Sequence, residues 1–172
     1  MKMCPCKIIG VTGSEGKTTT TSLIYAILKH AGYNTYLGGN IGTPLFTKLS
    51  EMVPEDIVVL ELSSFQLMEM EVSPHISVIT NITPNHLNIH SSYEEYIDSK
   101  KTIFKYQNEN DTLIFFDEMQ ECVSTATSLK AFREDGRYDV ICSGSLMGIN
   151  YKEIESNSVG NKEDYIMHSM DF

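Results

Sequence analysis

The chain has 172 residues, 41% hydrophobic and 21% charged, which suits one ordinary globular domain and leaves no room for a second of full size. A net charge of −10 opposes capture of a phosphate backbone, so no nucleic-acid partner is expected. No apolar run approaches the ~18 residues needed to cross a bilayer, and the start MKMCPCKII has no apolar signal core; a cytoplasmic protein without a membrane partner is expected. Four cysteines (Cys4, Cys6, Cys122, Cys142) are too few and too scattered for a disulfide-stapled fold, so reduced thiols are the default. Cys4 and Cys6 leave one residue between them, tighter than the usual zinc-knuckle spacing, and Cys142 lies in an apolar run that suits a buried thiol.

The β-branched run Lys7 to Val11 predicts a strand, TGSEGKTTTT a loop, and the helical recurrence of Leu23, Ile24, Ala26, Ile27 and Leu28 a helix. That helix is expected to stop at Ala31-Gly32, with Lys29 and His30 in its last turn where cations suit the dipole. NTYLGGNIGTPLF reads as a short strand and a glycine-rich loop. Asp56 to Leu62 and His75 to Ile82 are apolar runs of the kind buried on both faces of a parallel sheet. Ser92 is a candidate N-cap for a helix beginning at Tyr93, with Glu94 and Glu95 at its start and Lys100, Lys101 and Lys105 toward its end. Thr112 to Glu118 and Tyr138 to Gly144 are further strand candidates, separated by a helix through Thr125 to Glu134; from about Gly148 a hairpin or poorly ordered tail is expected. The pattern predicts a single α/β domain over residues 1–172, a three-layer P-loop NTPase-like fold with a mostly parallel sheet.

Gly13-Ser14-Glu15-Gly16-Lys17-Thr18, followed by Thr19, sits where a strand hands over to a helix. In that context glycines let backbone N–H groups converge on phosphates, Lys17 supplies a point charge and the Thr18 hydroxyl can reach Mg²⁺. Val11 stands where the strict eight-residue pattern wants glycine, so the loop is a variant form; the bland alternative is a glycine-rich turn with an incidental lysine. Glu61 ends an apolar strand at the edge where open parallel sheets bind ligands, although a strand-end Glu is as often a solvated carboxylate as a metal ligand. His86, with His90 four residues on, is a weaker candidate because Pro84 argues for a loop. By residue type alone, Lys100 and Lys101 read as a solvated helix face.

GVTGSEGKTTTT, GGNIGTPL, ELSSFQL, ITNITPNHL and YEEYIDSKKTIF, in this order and spacing, resemble the central ATP-binding domain of the Mur ligases over about Cys4 to Asp111. GGNIGTPL and ELSSFQL most resemble the members that add D-glutamate to UDP-N-acetylmuramoyl-L-alanine. The resemblance implies ATP and Mg²⁺ as cofactors, with UDP-N-acetylmuramoyl-L-alanine and D-glutamate as substrates. The implied reaction transfers the γ-phosphate to a carboxylate, giving an acyl phosphate that an amine attacks to form an amide. It implies that Lys17 holds the phosphates, Thr18 and Glu61 bind one magnesium, His86 helps with a second, and Asn40 and Ser63 face the muramoyl substrate. Lys100 aligns with a lysine that is carbamylated in the family, which would make it an anionic oxygen ligand. Two departures stand out: Asn88 occupies a position usually held by aspartate, and Glu15 places a carboxylate inside a phosphate loop.

After Asp111 the pattern changes. TLIFFDEMQEC, LKAFREDGRYDVICSGSLMGINYKE and SVGNKEDYIMHSMDF resemble the Walker B and sensor-1 part of prokaryotic AAA-like ATP-binding proteins, giving the chain the look of a chimera. That resemblance implies Asp117 as an alternative magnesium residue, Glu118 as the group that polarises water, and Ser143 or Ser145 near the sensor position. Three functions follow as expectations: the ATP-binding core of a D-glutamate-adding ligase, with little or no ligation by this chain alone; a Mg·ATP-binding module or weak NTPase; or an inactive α/β scaffold. The family uses separate domains for the UDP-sugar and the amino acid, which is why the first is expected to be incomplete as a ligase.

Overall fold

A computed structural model describes residues 1–83, 90–108, 110 and 111, together with the backbone of 113–116 and 139–142. In chain order the elements are β1 (Lys7–Thr12), α1 (Lys17–His30), β2 (Thr35–Gly39), a 3₁₀ helix (Leu45–Glu51), β3 (Ile57–Glu61), α2 (Ser64–Met68), β4 (Ile76–Ile79), α3 (Tyr93–Lys105), β5 (Leu113–Phe116) and β6 (Asp139–Cys142). The six strands form one sheet in the order β2-β3-β1-β4-β5-β6, and all five pairings are parallel. Every expected strand is present, each beginning and ending within a few residues of its apolar run. The expected helix through 125–134, the tail after Gly148, and His86, Asp117, Glu118, Ser143 and Ser145 lie outside the described residues.

Period-two alternation sends the side chains of β1 to two different layers. Ile9 and Val11 join Val59 and Val78 beneath Ile24, Tyr25 and Leu28 of α1. On the other side, Ile8 packs with Cys6, Met52 and Val58 under the 3₁₀ helix, while Leu62, Leu67, Ile79 and Ile103 join α2 and α3 to the sheet. Helices thus cover both faces, as a parallel sheet buried on both sides requires. Val11 and Val59 are fully buried at the centre of the sheet. Among the described residues no helix is long and apolar enough to cross a membrane.

Helix ends follow their local chemistry. Ser92 Oγ accepts the Glu95 N–H at 3.1 Å, so the expected N-cap of α3 forms, with Glu94 and Glu95 in its first turn. Helix α1 ends at His30, with the Ala31 N–H donating to Ile27 O at 2.9 Å. Helix α2 has no counterpart among the expected elements. Its signal was nonetheless written in the chain as Ser63-x-x-Gln66, a capping box in which Ser63 Oγ accepts the Gln66 N–H (3.3 Å) and Gln66 Oε1 accepts the Ser63 N–H (2.9 Å).

The strand order creates the site. From β1 the chain moves outward to β2, returns through β3 on one flank of β1, and continues to β4 on the other. The loop after β1 therefore opens between the C-terminal ends of β3 and β4, at the reversal of strand order where open α/β sheets form a ligand crevice.

Candidate functional site

The loop Gly13–Thr18 is held from beneath by residues that follow β4. Ser14 N–H donates to Asn81 O and Glu15 N–H to Asn81 Oδ1, both at 2.9 Å. Thr80 Oγ1 donates to Glu15 O at 2.5 Å, and the Thr83 N–H donates to Ser14 Oγ at 2.9 Å. Gly13, at φ 154°, lies so close to β4 that a Cβ would sit 1.9 Å from Thr80 Oγ1, so only glycine fits. Glu15 is an exposed residue, which limits the effect of its carboxylate on the loop interior.

Helix α1 starts at Lys17 without a side-chain cap, and its first internal bond runs from Thr20 N–H to Gly16 O at 2.9 Å. The amides of Lys17, Thr18 and Thr19 consequently have no partner within the helix, and they lie at the positive end of its dipole. Lys17 Nζ donates to Gly13 O (2.9 Å) and Ser14 O (2.8 Å), poised over the loop it belongs to. These are the groups that a phosphate chain needs: unpaired amides, a cation, and a glycine-shaped approach.

Opposite the helix start stands Glu61, 2% exposed at the end of β3. Its Oε2 accepts the Thr18 hydroxyl at 2.8 Å, and its Oε1 accepts Asn40 Nδ2 at 3.0 Å. The Asn40 N–H also donates to Glu61 O at 2.8 Å. Gly39 precedes it at φ 94°, and a Cβ there would lie 2.1 Å from Glu61 O, so β2 can crowd Glu61 only because it ends in glycine. Glu61 is thus a hydrogen-bonded carboxylate and not a solvated one. The pairing of a buried carboxylate with a hydroxyl fits the oxygen ligands a magnesium ion prefers. Among the described residues no group of three or more His, Cys, Asp or Glu converges.

Lys100 corrects the reading from residue type. It is 2% exposed, buried beneath the loop and not on a solvated face. Nζ donates to Gly13 O at 2.8 Å and lies 3.5 Å from Thr12 Oγ1, with the Tyr96 ring centroid 4.7 Å away. Burial, reinforced by the nearby Lys17 charge, lowers the Lys100 pKa from its ordinary value to about 7. Lys101, by contrast, is exposed and pairs with Asp98 at 3.2 Å.

One residue that pattern reasoning missed shapes the site. Tyr96 is fully buried, its hydroxyl shares a 2.8 Å hydrogen bond with Ser14 Oγ, and its ring lies beneath Lys100. Burial raises its pKa, outweighing the hydrogen bond to Ser14 that lowers it, so the phenol stays protonated. Its place at i and i+4 with Lys100 on one helix face was the available signal. His90, a weaker candidate from the sequence, does not point to the Gly13–Thr18 loop. Its Nε2 lies 3.0 Å from Ser64 Oγ and its ring stacks on Phe65, joining α2 to the start of α3. Ser63 stands two residues beyond Glu61 at the same edge, with its hydroxyl engaged in capping α2.

Comparison with known proteins agrees with this geometry. Residues 11–162 match the Mur ligase middle domain family, a match that continues past Asp111, where the sequence pattern changes. The UDP-N-acetylmuramoylalanine–D-glutamate ligases of Clostridium botulinum (strain Okra / Type B1) and Clostridium kluyveri (strain ATCC 8527) are 60% and 61% identical over 114 residues, 66% of this chain. The chain spans about a quarter of the length of these relatives (25%). In fold it is similar to a UDP-N-acetylmuramoyl-L-alanyl-D-glutamate–2,6-diaminopimelate ligase (TM-score 0.62, 19% identity, 84% of this chain and 33% of the other). A similar likeness holds to MurF from Acinetobacter baumannii (TM-score 0.52, 18% identity, 82% and 32%). A phosphate-type loop, a buried strand-end glutamate and a parallel α/β sheet converge with the match over 11–162: the chain belongs to the Mur ligase middle domain family.

Proposed function

We propose that this chain is the nucleotide-binding core of a ligase that adds D-glutamate to UDP-N-acetylmuramoyl-L-alanine, and that it takes Mg·ATP at the Gly13–Thr18 loop. The observation that carries this reading is the Thr18–Glu61–Asn40 arrangement, a buried carboxylate set against the uncapped start of α1. In this reading the amides of Gly16 to Thr19 and the Lys17 ammonium bind the phosphates, and Lys17 exchanges its loop carbonyls for phosphate oxygens. Thr18 and Glu61 hold a magnesium ion, for which their oxygens are suited. When bound, Mg·ATP supplies the phosphoryl group that activates a substrate carboxylate toward an amine.

Lys100 has a separate role. An uncharged amine can add CO₂ and become a carbamate, and burial beside Lys17 favours the uncharged form. We assign Lys100 as the carbamylated residue that, with His86, organises a second magnesium ion, and place the muramoyl substrate near Asn40 and Ser63. The substrates and the amide-forming step belong to relatives of which this chain matches only 25%, so this chain alone is expected to bind Mg·ATP with little or no ligation.

Calorimetric titration of Mg·ATP tests the reading. Saturable binding that weakens at least tenfold in Lys17→Ala and in Glu61→Gln supports it. A folded chain giving no heat at millimolar Mg·ATP, or binding that ignores both substitutions, would overturn it.

A further inference from the structure

At the opposite end of the sheet lies a second cluster of reactive groups, which the nucleotide site does not use. The segment MKMCPC folds over the start of β1, with the Cys4 N–H donating to Met1 O at 2.9 Å. This brings Cys4 Sγ to 3.2 Å from Cys6 Sγ. Met1 and Cys4 pack against the cluster of Cys6, Ile8, Met52 and Val58, and Met1 and Met70 both pack against the cluster of Leu62, Leu67, Ile79 and Ile103. Met1, Met3, Cys4 and Met70 line one cleft of about 420 Å³. Four of the nine methionines in the chain therefore share a cleft or core cluster with one of the two cysteines whose side chains are described, Met1, Met3 and Met70 with Cys4 and Met52 with Cys6.

The chemistry of this donor set is selective. Thiolate and thioether sulfur are soft ligands that favour Cu(I) over hard ions, whereas magnesium and calcium want carboxylate, carbonyl and water. Glu69 and Glu71 line the same cleft, but no third His, Asp or Glu joins the two thiols in a cluster among the described residues. Glu71 instead lies 3.8 Å from Lys2 at the exposed rim. Cys4 is half-buried and faces the cleft, which gives an ion a route to the pair.

We propose that Cys4 and Cys6 form a binding site for a soft monovalent d¹⁰ cation of the Cu(I) class, completed by a methionine thioether from Met1, Met3 or Met70. Binding replaces two S–H bonds by two metal–sulfur bonds and releases two protons to solvent, with no change of oxidation state. Because each metal–thiolate bond displaces a thiol proton, affinity climbs with pH.

The test is anaerobic titration of the full chain with Cu(I), in competition with bathocuproine disulfonate, using the Cys122→Ser/Cys142→Ser variant so that only Cys4 and Cys6 report. One equivalent held against the chelator, thiolate-to-copper absorption in the ultraviolet, and an affinity that rises more than tenfold per pH unit are expected. Cys4→Ser, at the half-buried position, should lower the affinity at least 1000-fold while circular dichroism stays unchanged. Because Cys6 is buried and its loss could disturb folding, Met70→Leu serves as the second probe, with an expected weakening of about tenfold. Copper retained equally by Cys4→Ser, copper lost entirely to the chelator, or Zn(II) bound as tightly as Cu(I) would each overturn the assignment.

Discussion

Helices α1 and α3 each deliver a lysine to the same acceptor, the carbonyl of Gly13, at 2.9 Å from Lys17 and 2.8 Å from Lys100. They arrive differently. Lys17 stands at the first position of α1 within a recognisable loop motif and is half-buried, whereas Lys100 lies two turns into α3 and is sealed under the loop. Burial first, and the nearby Lys17 charge second, lower the Lys100 pKa to about 7. The contrast separates a lysine suited to meeting anions from one suited to losing its proton.

Removing each lysine should break the pair in different ways. Lys17→Ala is expected to weaken Mg·ATP about 100-fold by calorimetry, roughly 2.7 kcal/mol, with little change in the denaturation midpoint. Lys100→Met should act on stability instead. The folded pKa of about 7 lies below the ordinary 10.5, so between those values the unfolded chain holds more protons and wild-type stability rises with pH. Relative to Lys100→Met, urea denaturation should show wild type gaining about 2 kcal/mol between pH 7 and 9. A flat difference across that range would show that Lys100 titrates normally. In Lys17→Ala the same rise should begin at a higher pH, because the repelling charge is gone.

Smaller changes sharpen the comparison. Tyr96→Phe keeps the ring beneath Lys100 but removes the hydroxyl from Ser14, and should cost about 1 kcal/mol in stability. The nucleotide affinity of this variant tests whether the link between α3 and the loop matters for binding; a loss of threefold or more is expected. Ser92→Ala removes only the cap of α3 and should cost about 0.5–1 kcal/mol, leaving Mg·ATP affinity unchanged. If Ser92→Ala disturbed binding as much as Tyr96→Phe, the effect would belong to the helix as a whole and not to the tyrosine contact.

Much of the site was legible because its signals are local. The glycines and Lys17 mark a strand-to-helix loop within six residues, and Ser92 announces its helix with two acidic residues following. The capping box at Ser63 and Gln66 was equally local, yet α2 was missed because five residues give no hydrophobic periodicity to confirm it. Asn40 and Glu61 are a harder case. Each ends a strand, but whether the carboxylate meets solvent or a hydroxyl depends on β2 and β3 lying side by side in register, with Gly39 opposite Glu61.

By itself the sequence determined the strands, the glycine-rich loop between β1 and α1, the α3 cap and the family resemblance of the first two thirds, because each depends on residues close together in the chain or on a string of motifs in fixed order. The wholly parallel sheet with β1 between β3 and β4, the burial of Lys100 under Gly13, the Tyr96–Ser14 link and the meeting of Cys4 and Cys6 with distant methionines were decided only by the tertiary structure. The physical reason is that burial and hydrogen-bond partners are properties of contacts between elements. Gly13 and Lys100 are 87 positions apart in the chain, and only packing against a common sheet makes a bland helical lysine the neighbour of the Gly13–Thr18 loop.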